Sequence, residues 1–216
     1  MGLKKFVKNK LVQYDNCSPW PKHYSFRMTK QERQLFDTTV KHAKVYLEFG
    51  MGGSTFLALQ VSDAKVYSVD SSTEWLGKMR RYWLIRYKEM LKRLFLFYVD
   101  IGPVGKWGFP MSAEKESFSN YSAAIFQSIR KEAVDTVLID GRFRVACTLK
   151  TILECHSNAC LQILIHDFWI RPEYHIVLKY LDTVDQADTL GVFKLKKEID
   201  LKAVQKDYDA YRFDFN

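Results

Sequence analysis

Val45-Tyr-Leu-Glu-Phe-Gly-Met-Gly-Gly-Ser-Thr55 is the stretch that decides how this 216-residue chain is read. Lys44 to Phe49 reads as a buried strand, Ser54 to Val61 as a helix, and the residues between them as a glycine-rich turn. Gly50, Gly52 and Gly53 let the backbone bend tightly and let a ligand come close to it. The free N–H groups of a helix start favour a negative group such as a carboxylate. Ser54 or Thr55 can cap that helix and add a hydroxyl to the site.

Outward from the turn, strand and helix signals alternate. Thr29-Lys-Gln-Glu32 is a capping-box pattern opening a helix to about His42. Lys65 to Val69, Leu94 to Val99, Val134 to Ile139 and Leu161 to Ile165 read as strands. The helices expected between them are Thr73 to Lys92, Phe118 to Lys131 and Arg144 to His156, with Pro172 to Leu181 following. That alternation predicts an α/β fold with a parallel sheet covered on both faces. Thr189 to Leu195 and Asp207 to Phe215 read as two closing antiparallel strands. Residues 1–27 are expected to form an arm, and 28–216 a single domain.

Composition excludes other classes. With 47% hydrophobic and 15% aromatic residues, the chain has ample surface to bury, so intrinsic disorder is excluded. No stretch approaches the roughly 20 apolar residues of a membrane span. The basic start, Met1 to Lys10, lacks the apolar core of a secretory signal. Phe6 stands where a Gly2 myristoylation signal wants Ser or Thr. The expectation is a cytoplasmic protein. Cys17, Cys147, Cys155 and Cys160 form no CxxC pair, and small core thiols are expected rather than a zinc site. The net charge of +8 is concentrated in two places. One is the arm, with Lys4, Lys5, Lys8 and Lys10. The other is the stretch holding Lys78, Arg80, Arg81, Arg86, Lys88, Lys92 and Arg93. Such charge can attract nucleic acid, an anionic membrane or an acidic glycan, though a solvated helix face is the favoured reading.

A second acid stands at the right distance from the turn. Asp70, with its neighbour Ser71, ends the next strand about 20 residues beyond Gly50, where a carboxylate can accept hydrogen bonds from ribose hydroxyls. A dinucleotide fingerprint is disfavoured by Thr55 at its third glycine position, and a P-loop by the missing lysine. Glu48 would repel a pyrophosphate and suit an ammonium or sulfonium centre.

With these residues the chain resembles the class I S-adenosylmethionine-dependent methyltransferases over roughly residues 28–216. The resemblance implies a Rossmann-like, doubly wound, seven-stranded sheet, mostly parallel with an antiparallel last strand. It implies that Glu48-Phe49-Gly50-Met-Gly52, with Gly53, Ser54 and Thr55, holds the methionine part of S-adenosylmethionine. Asp70 would then hold the ribose, and Asp100 with Ile101 would approach the adenine.

Three more polar residues lie at strand ends facing the same crevice: Asp140, His166 and Asp167. They can supply a general base to a hydroxyl or hold a divalent cation. This resembles metal-assisted O-methyltransferases, which implies Mg²⁺ or Mn²⁺ on Asp140 and Asp167; Phe168 departs from the Asn usual there. Asp140-Gly-Arg-Phe143 lacks the proline clamp of base-amino methyltransferases, which favours O-methylation. Arg142, Trp107 and Trp169 are the candidate acceptor-binding residues. Arg144 is a further cation beside the site, and Trp75 can flank an adenine. The acceptor expected first is a sugar or glycan hydroxyl, then a phenolic or other small hydroxyl, then an RNA ribose. A non-catalytic protein retaining the fold is the alternative.

Overall fold

The computed structural model describes residues 10–11, 13–111 and 115–216. Lys4, Lys5, Lys8, Gly2 and Phe6 therefore lie outside the described residues. Seven strands form one sheet: β1 (Val45–Phe49), β2 (Lys65–Asp70), β3 (Leu94–Tyr98), β4 (Thr136–Ile139), β5 (Gln162–Ile165), β6 (Leu181–Ala187) and β7 (Leu190–Leu195). Their order is β3-β2-β1-β4-β5-β7-β6. All pairings from β3 to β5 are parallel, and β7 runs antiparallel to both β5 and β6. Seven helices are labelled here: α1 (Lys30–Val40), α2 (Gly53–Val61), α3 (Thr73–Met79), α4 (Trp83–Met90), α5 (Phe118–Ala123), α6 (Arg144–Cys155) and α7 (Leu201–Tyr211). Among the described residues, no helix is long and apolar enough to cross a membrane.

The central strands are buried on both faces because their side chains alternate between two cores. Leu47, Phe49, Val137, Ile139, Ile163 and Ile165 point into one. Tyr46, Leu138 and Leu164 point into the other, against Phe36 and Leu57. The order reverses between β1, which continues to β2, and β4, which continues to β5. The carboxyl ends of β1 and β4 therefore flank a crevice, where open α/β sheets take their ligands.

The carboxyl-terminal stretch differs from the sequence expectation. Asp207 to Phe215 is not a strand: most of it belongs to α7. The Asp200 side chain accepts from the N–H of Lys202 and Ala203 and caps that helix. Val204 and Tyr208, four residues apart, are its buried face. The tyrosine and phenylalanine alternation concealed this helical spacing. The partner of β7 is instead β6, an edge strand with five consecutive exposed residues, which carries no apolar alternation.

The long helix expected over Thr73 to Lys92 breaks into α3 and α4. Arg86 Nη1 donates to the carbonyls of Arg80 (2.7 Å) and Arg81 (2.6 Å) released at the break. Much of the basic stretch is spent in this way. Arg80 grips Glu89, Lys78 pairs with Glu74, and Arg93 donates to the carbonyls of Leu59, Ser62 and Ala64 at the end of α2. Phe118 to Lys131 is α-helical only over α5, then 3₁₀, and Pro172–Lys179 is 3₁₀. Cys147 and Cys155 are buried thiols of α6, whereas Cys17 and Cys160 are exposed.

Candidate functional site

The turn after β1 is shaped by two close approaches. Gly50 has φ +96°, and a Cβ there would stand 2.6 Å from the Gly141 nitrogen. The turns after β1 and β4 therefore touch, which only a glycine allows. A Cβ at Gly53 would strike the Phe26 ring and the Ser25 carbonyl. The third glycine thus makes room for the arm rather than for a ligand. The arm is fixed to α2: Tyr24 stacks on Phe56 at 4.6 Å, and Gln60 Nε2 donates to the Pro21 carbonyl at 2.9 Å.

Beneath the turn lies Glu48, fully buried. Its Oε2 accepts from Ser54 Oγ (2.7 Å) and Tyr46 Oη (3.0 Å), and its Oε1 from Ser68 Oγ (2.5 Å) and Thr55 Oγ1. Burial pushes its carboxyl up to about 7, against the pull of the four hydroxyls. Glu48 does not reach the crevice; it braces the turn. Asp70 does reach it. Its Oδ1 accepts the Ser72 N–H at 2.8 Å, and burial raises its carboxyl to about 6 despite the neighbouring backbone N–H groups. Trp75 forms a wall, its indole N–H donating to the Met51 carbonyl at 2.7 Å.

The crevice is about 800 Å³, within the roughly 300–1,000 Å³ of small-molecule sites. Besides the turn and Asp70, it is lined by arm residues Ser25 to Met28, loop residues Val104 to Gly108, and Asp140, Arg142, Arg144, His166 and Asp167. Trp107 adopts φ +62° and is 62% exposed. Phe143, beside the crevice, has φ +57°. Bulky residues in this region cost roughly 1–3 kcal/mol each and concentrate at ligand clamps. The Arg27 guanidinium lies 5.3 Å from the Trp107 ring, joining arm to loop.

At the β4 and β5 ends the carboxylates meet cations. Arg144 Nη2 lies 3.4 Å from Asp140 Oδ1 and 3.0 Å from Asp167 Oδ2. His166 Nδ1 lies 2.9 Å from Asp140 Oδ1, and its Nε2 lies 3.5 Å from Glu32 Oε2. Burial would lower the imidazole, but the hydrogen bond to Asp140 and the charges of Asp140 and Asp167 raise it to about 9. Glu32 is itself buried and receives the N–H of Thr29 (2.8 Å) and of Thr189 (2.9 Å). It ties α1 to the β6–β7 turn and to His166.

The sequence matches no protein-family model and no curated protein. Solved structures do match. A methyltransferase-like protein from Silicibacter pomeroyi superposes with a TM-score of 0.74 at 26% identity, covering 88% of this chain and 98% of that one. The chain has the class I S-adenosylmethionine-dependent methyltransferase fold. Two more distant structures share it: an S-adenosylhomocysteine-bound methyltransferase from Podospora anserina and a methyltransferase from Geobacter sulfurreducens. The first has a TM-score of 0.53 at 12% identity over 91% of this chain and 98% of that one. The second has 0.52 at 11% over 91% and 90%.

On this methyltransferase fold, the structure divides the expected cofactor residues. Gly50, Gly52, Gly53, Ser54, Asp70 and Ser71 line the crevice. Glu48, Phe49 and Thr55 do not: Phe49 packs on Tyr121 and Phe126, and Thr55 bridges Glu48 and the Gly52 N–H. Asp100 is exposed and turned onto the Gly102 N–H at 2.9 Å, and Ile101 is wholly in the core, so neither lines the crevice. Among the acceptor candidates, Arg142 and Trp107 line it, whereas Trp169 packs on Phe168, His175 and Phe193. The open turn, the Asp70 carboxylate and the Trp75 wall fit a nucleoside-bearing cofactor.

The metal expectation does not fit. Asp140, His166 and Asp167 do bring donor atoms within 4.8 Å of one another. However, Arg144 already stands between the carboxylates, and Phe168 offers no donor. Both ring nitrogens of His166, the expected general base, face carboxylates. Sequence reading missed Glu32, the arm residues Ser25 to Met28 and Tyr121. The capping box accounts for only one of the Glu32 oxygens, and nothing local signals the other.

Proposed function

We propose that this chain is an S-adenosylmethionine-dependent methyltransferase acting on a hydroxyl, and that a sugar or glycan hydroxyl is the acceptor class. One observation carries the reading. A single crevice brings a glycine turn and a strand-end Asp70 together with a carboxylate that has an oxygen to spare. Asp140 Oδ2 has no hydrogen-bond partner among the described residues, while Oδ1 is held by His166 and Arg144.

S-adenosylmethionine, when bound, supplies an electrophilic methyl that passes to the acceptor oxygen as its carbon–sulfur bond breaks, leaving S-adenosylhomocysteine. The chain's own groups orient and deprotonate. Gly53 and Ser54, at the start of α2, present backbone N–H groups to a carboxylate. Asp70 receives ribose hydroxyls. Asp140 Oδ2 takes the hydroxyl proton, and His166 and Arg144 fix the position of Asp140. Holding the reacting groups in place is most of what methyl transfer requires. Trp107 offers a face on which a ring can lie, in keeping with a sugar.

Calorimetric titration with S-adenosylhomocysteine, with and without Mg²⁺ or Mn²⁺, tests this. Micromolar binding unaffected by either ion is expected. Asp70→Asn is expected to weaken it about 10-fold or more, because a charge-assisted hydrogen bond contributes roughly 1.5–3 kcal/mol. Absence of binding by the unaltered protein would overturn the reading.

A further inference from the structure

The cations lining the crevice fall into two sets. Arg144 and His166 are matched by Asp140, Asp167 and Glu32. Lys78 is matched by Glu74 at 2.7 Å. Three cations are unmatched. Arg142 makes no side-chain hydrogen bond or ion pair among the described residues, and its Nε is buried without a partner. Among the described residues, the charged groups of Arg27 and Lys106 make contacts to the Trp107 ring, at 5.3 and 5.8 Å, and no hydrogen bond or ion pair. All three converge. A Cβ at Gly108, next to Trp107, would lie 3.9 Å from Arg142 Cγ.

A buried guanidinium nitrogen without an acceptor is costly, and its arrangement suits a planar or tetrahedral oxyanion. Its place matters. Arg142 follows Asp140 and Gly141 at the end of β4, and Gly108 lies between its Cγ and Ser71 Oγ. A group held there would stand beside Asp140.

We infer that the acceptor carries an anionic group, a phosphate or carboxylate, received by Arg142 together with Arg27 and Lys106 while Trp107 lies against its ring. This rests on the methyltransferase reading above and narrows its acceptor class. The paired cations position Asp140; the unmatched ones select the acceptor.

The test is calorimetric titration of the protein, alone and loaded with S-adenosylhomocysteine. The probes are glucose 6-phosphate and glucuronate against glucose, and phenyl phosphate and benzoate against phenol. At least one charged probe is expected to bind 10-fold or more tightly than its neutral counterpart, with binding that weakens as salt rises. The phosphate and carboxylate arms tell which oxyanion is read. Arg142→Met is expected to reduce that preference 10-fold or more and to leave S-adenosylhomocysteine affinity within about 2-fold. Equal binding of charged and neutral probes, or none by any charged probe, would overturn the inference. So would a 10-fold loss of S-adenosylhomocysteine affinity in Arg142→Met, since the arginine would then serve the cofactor carboxylate. Failure of S-adenosylhomocysteine to bind the unaltered protein, with charged-probe selectivity retained, would remove the methyltransferase reading and leave the anion site.

Discussion

Two ends of one crevice hold carboxylates in opposite ways. Under the β1 turn, Glu48 is surrounded by four neutral hydroxyls and no cation. At the β4 and β5 ends, Asp140 and Asp167 share Arg144, and Asp140 also holds His166. Hydroxyls give a carboxylate a fixed, short-range cage that holds a backbone turn whatever its protonation. Cations give a balance of charge that a ligand can disturb. The first end is suited to shaping a backbone, the second to chemistry.

The largest expected effect comes from breaking the charged end. Arg144→Met leaves Asp140 and Asp167 facing each other with only His166 as a counter-charge. Arg144 is buried but both carboxylates are partly exposed, so the loss, which chemical denaturation would measure, is expected to fall below the roughly 3–5 kcal/mol of a fully buried pair. The variant also frees the three donors for a cation, so Mn²⁺ is expected to restore part of the lost stability. A variant as stable as the parent would show that the arginine is incidental.

A smaller effect is expected at the hydroxyl end. Glu48→Gln replaces an acceptor by an amide that must point N–H groups at hydroxyls, costing about 1–3 kcal/mol. S-adenosylhomocysteine affinity in the folded variant should stay within a few-fold, because Glu48 braces the turn without lining the crevice. A large loss of affinity with little loss of stability would reverse the roles assigned to the two ends.

The smallest effect is on pH dependence, where the two ends share a sign and differ in the pH window. His166 is raised from 6.5 to about 9. Its contribution to stability is fully present below pH 6.5 and is lost as pH rises through about 9. Asp70 and Glu48 are also raised, to about 6 and about 7, so for them the folded state binds protons more tightly. Their contribution to stability falls as pH climbs from about 4 through those values. S-adenosylhomocysteine affinity should move the other way, rising as Asp70 ionises through pH 6. Denaturation and binding titrations between pH 4 and 10 would separate these trends.

Sequence made one half of this comparison legible and not the other. The turn, Asp70 and the strand ends carrying Asp140 and Asp167 follow from local rules: a buried run, glycines, then a helix start. Arg144 was visible only as a nearby cation, because its insertion between two carboxylates depends on where β4 and β5 lie side by side. Glu32 meets Thr189 across 157 positions, and no local pattern records that contact. The edge strand β6 was invisible for another reason: exposed edges need no apolar alternation. Asp100 and Ile101 stood at the right strand end, but the turn at Gly102 points one outward and the other into the core.

The contact between Arg27 and Trp107 has a kinetic meaning. A cation–π contact at an exposed site is worth about 0.5–1 kcal/mol. On its own, a latch of that strength stands open for roughly a sixth to a third of the time, and loop motions of this size run on nanosecond to microsecond scales. Such a latch is far too fast to hold back traffic through the crevice. Discrimination among arriving molecules then falls to the charges waiting inside and not to the door.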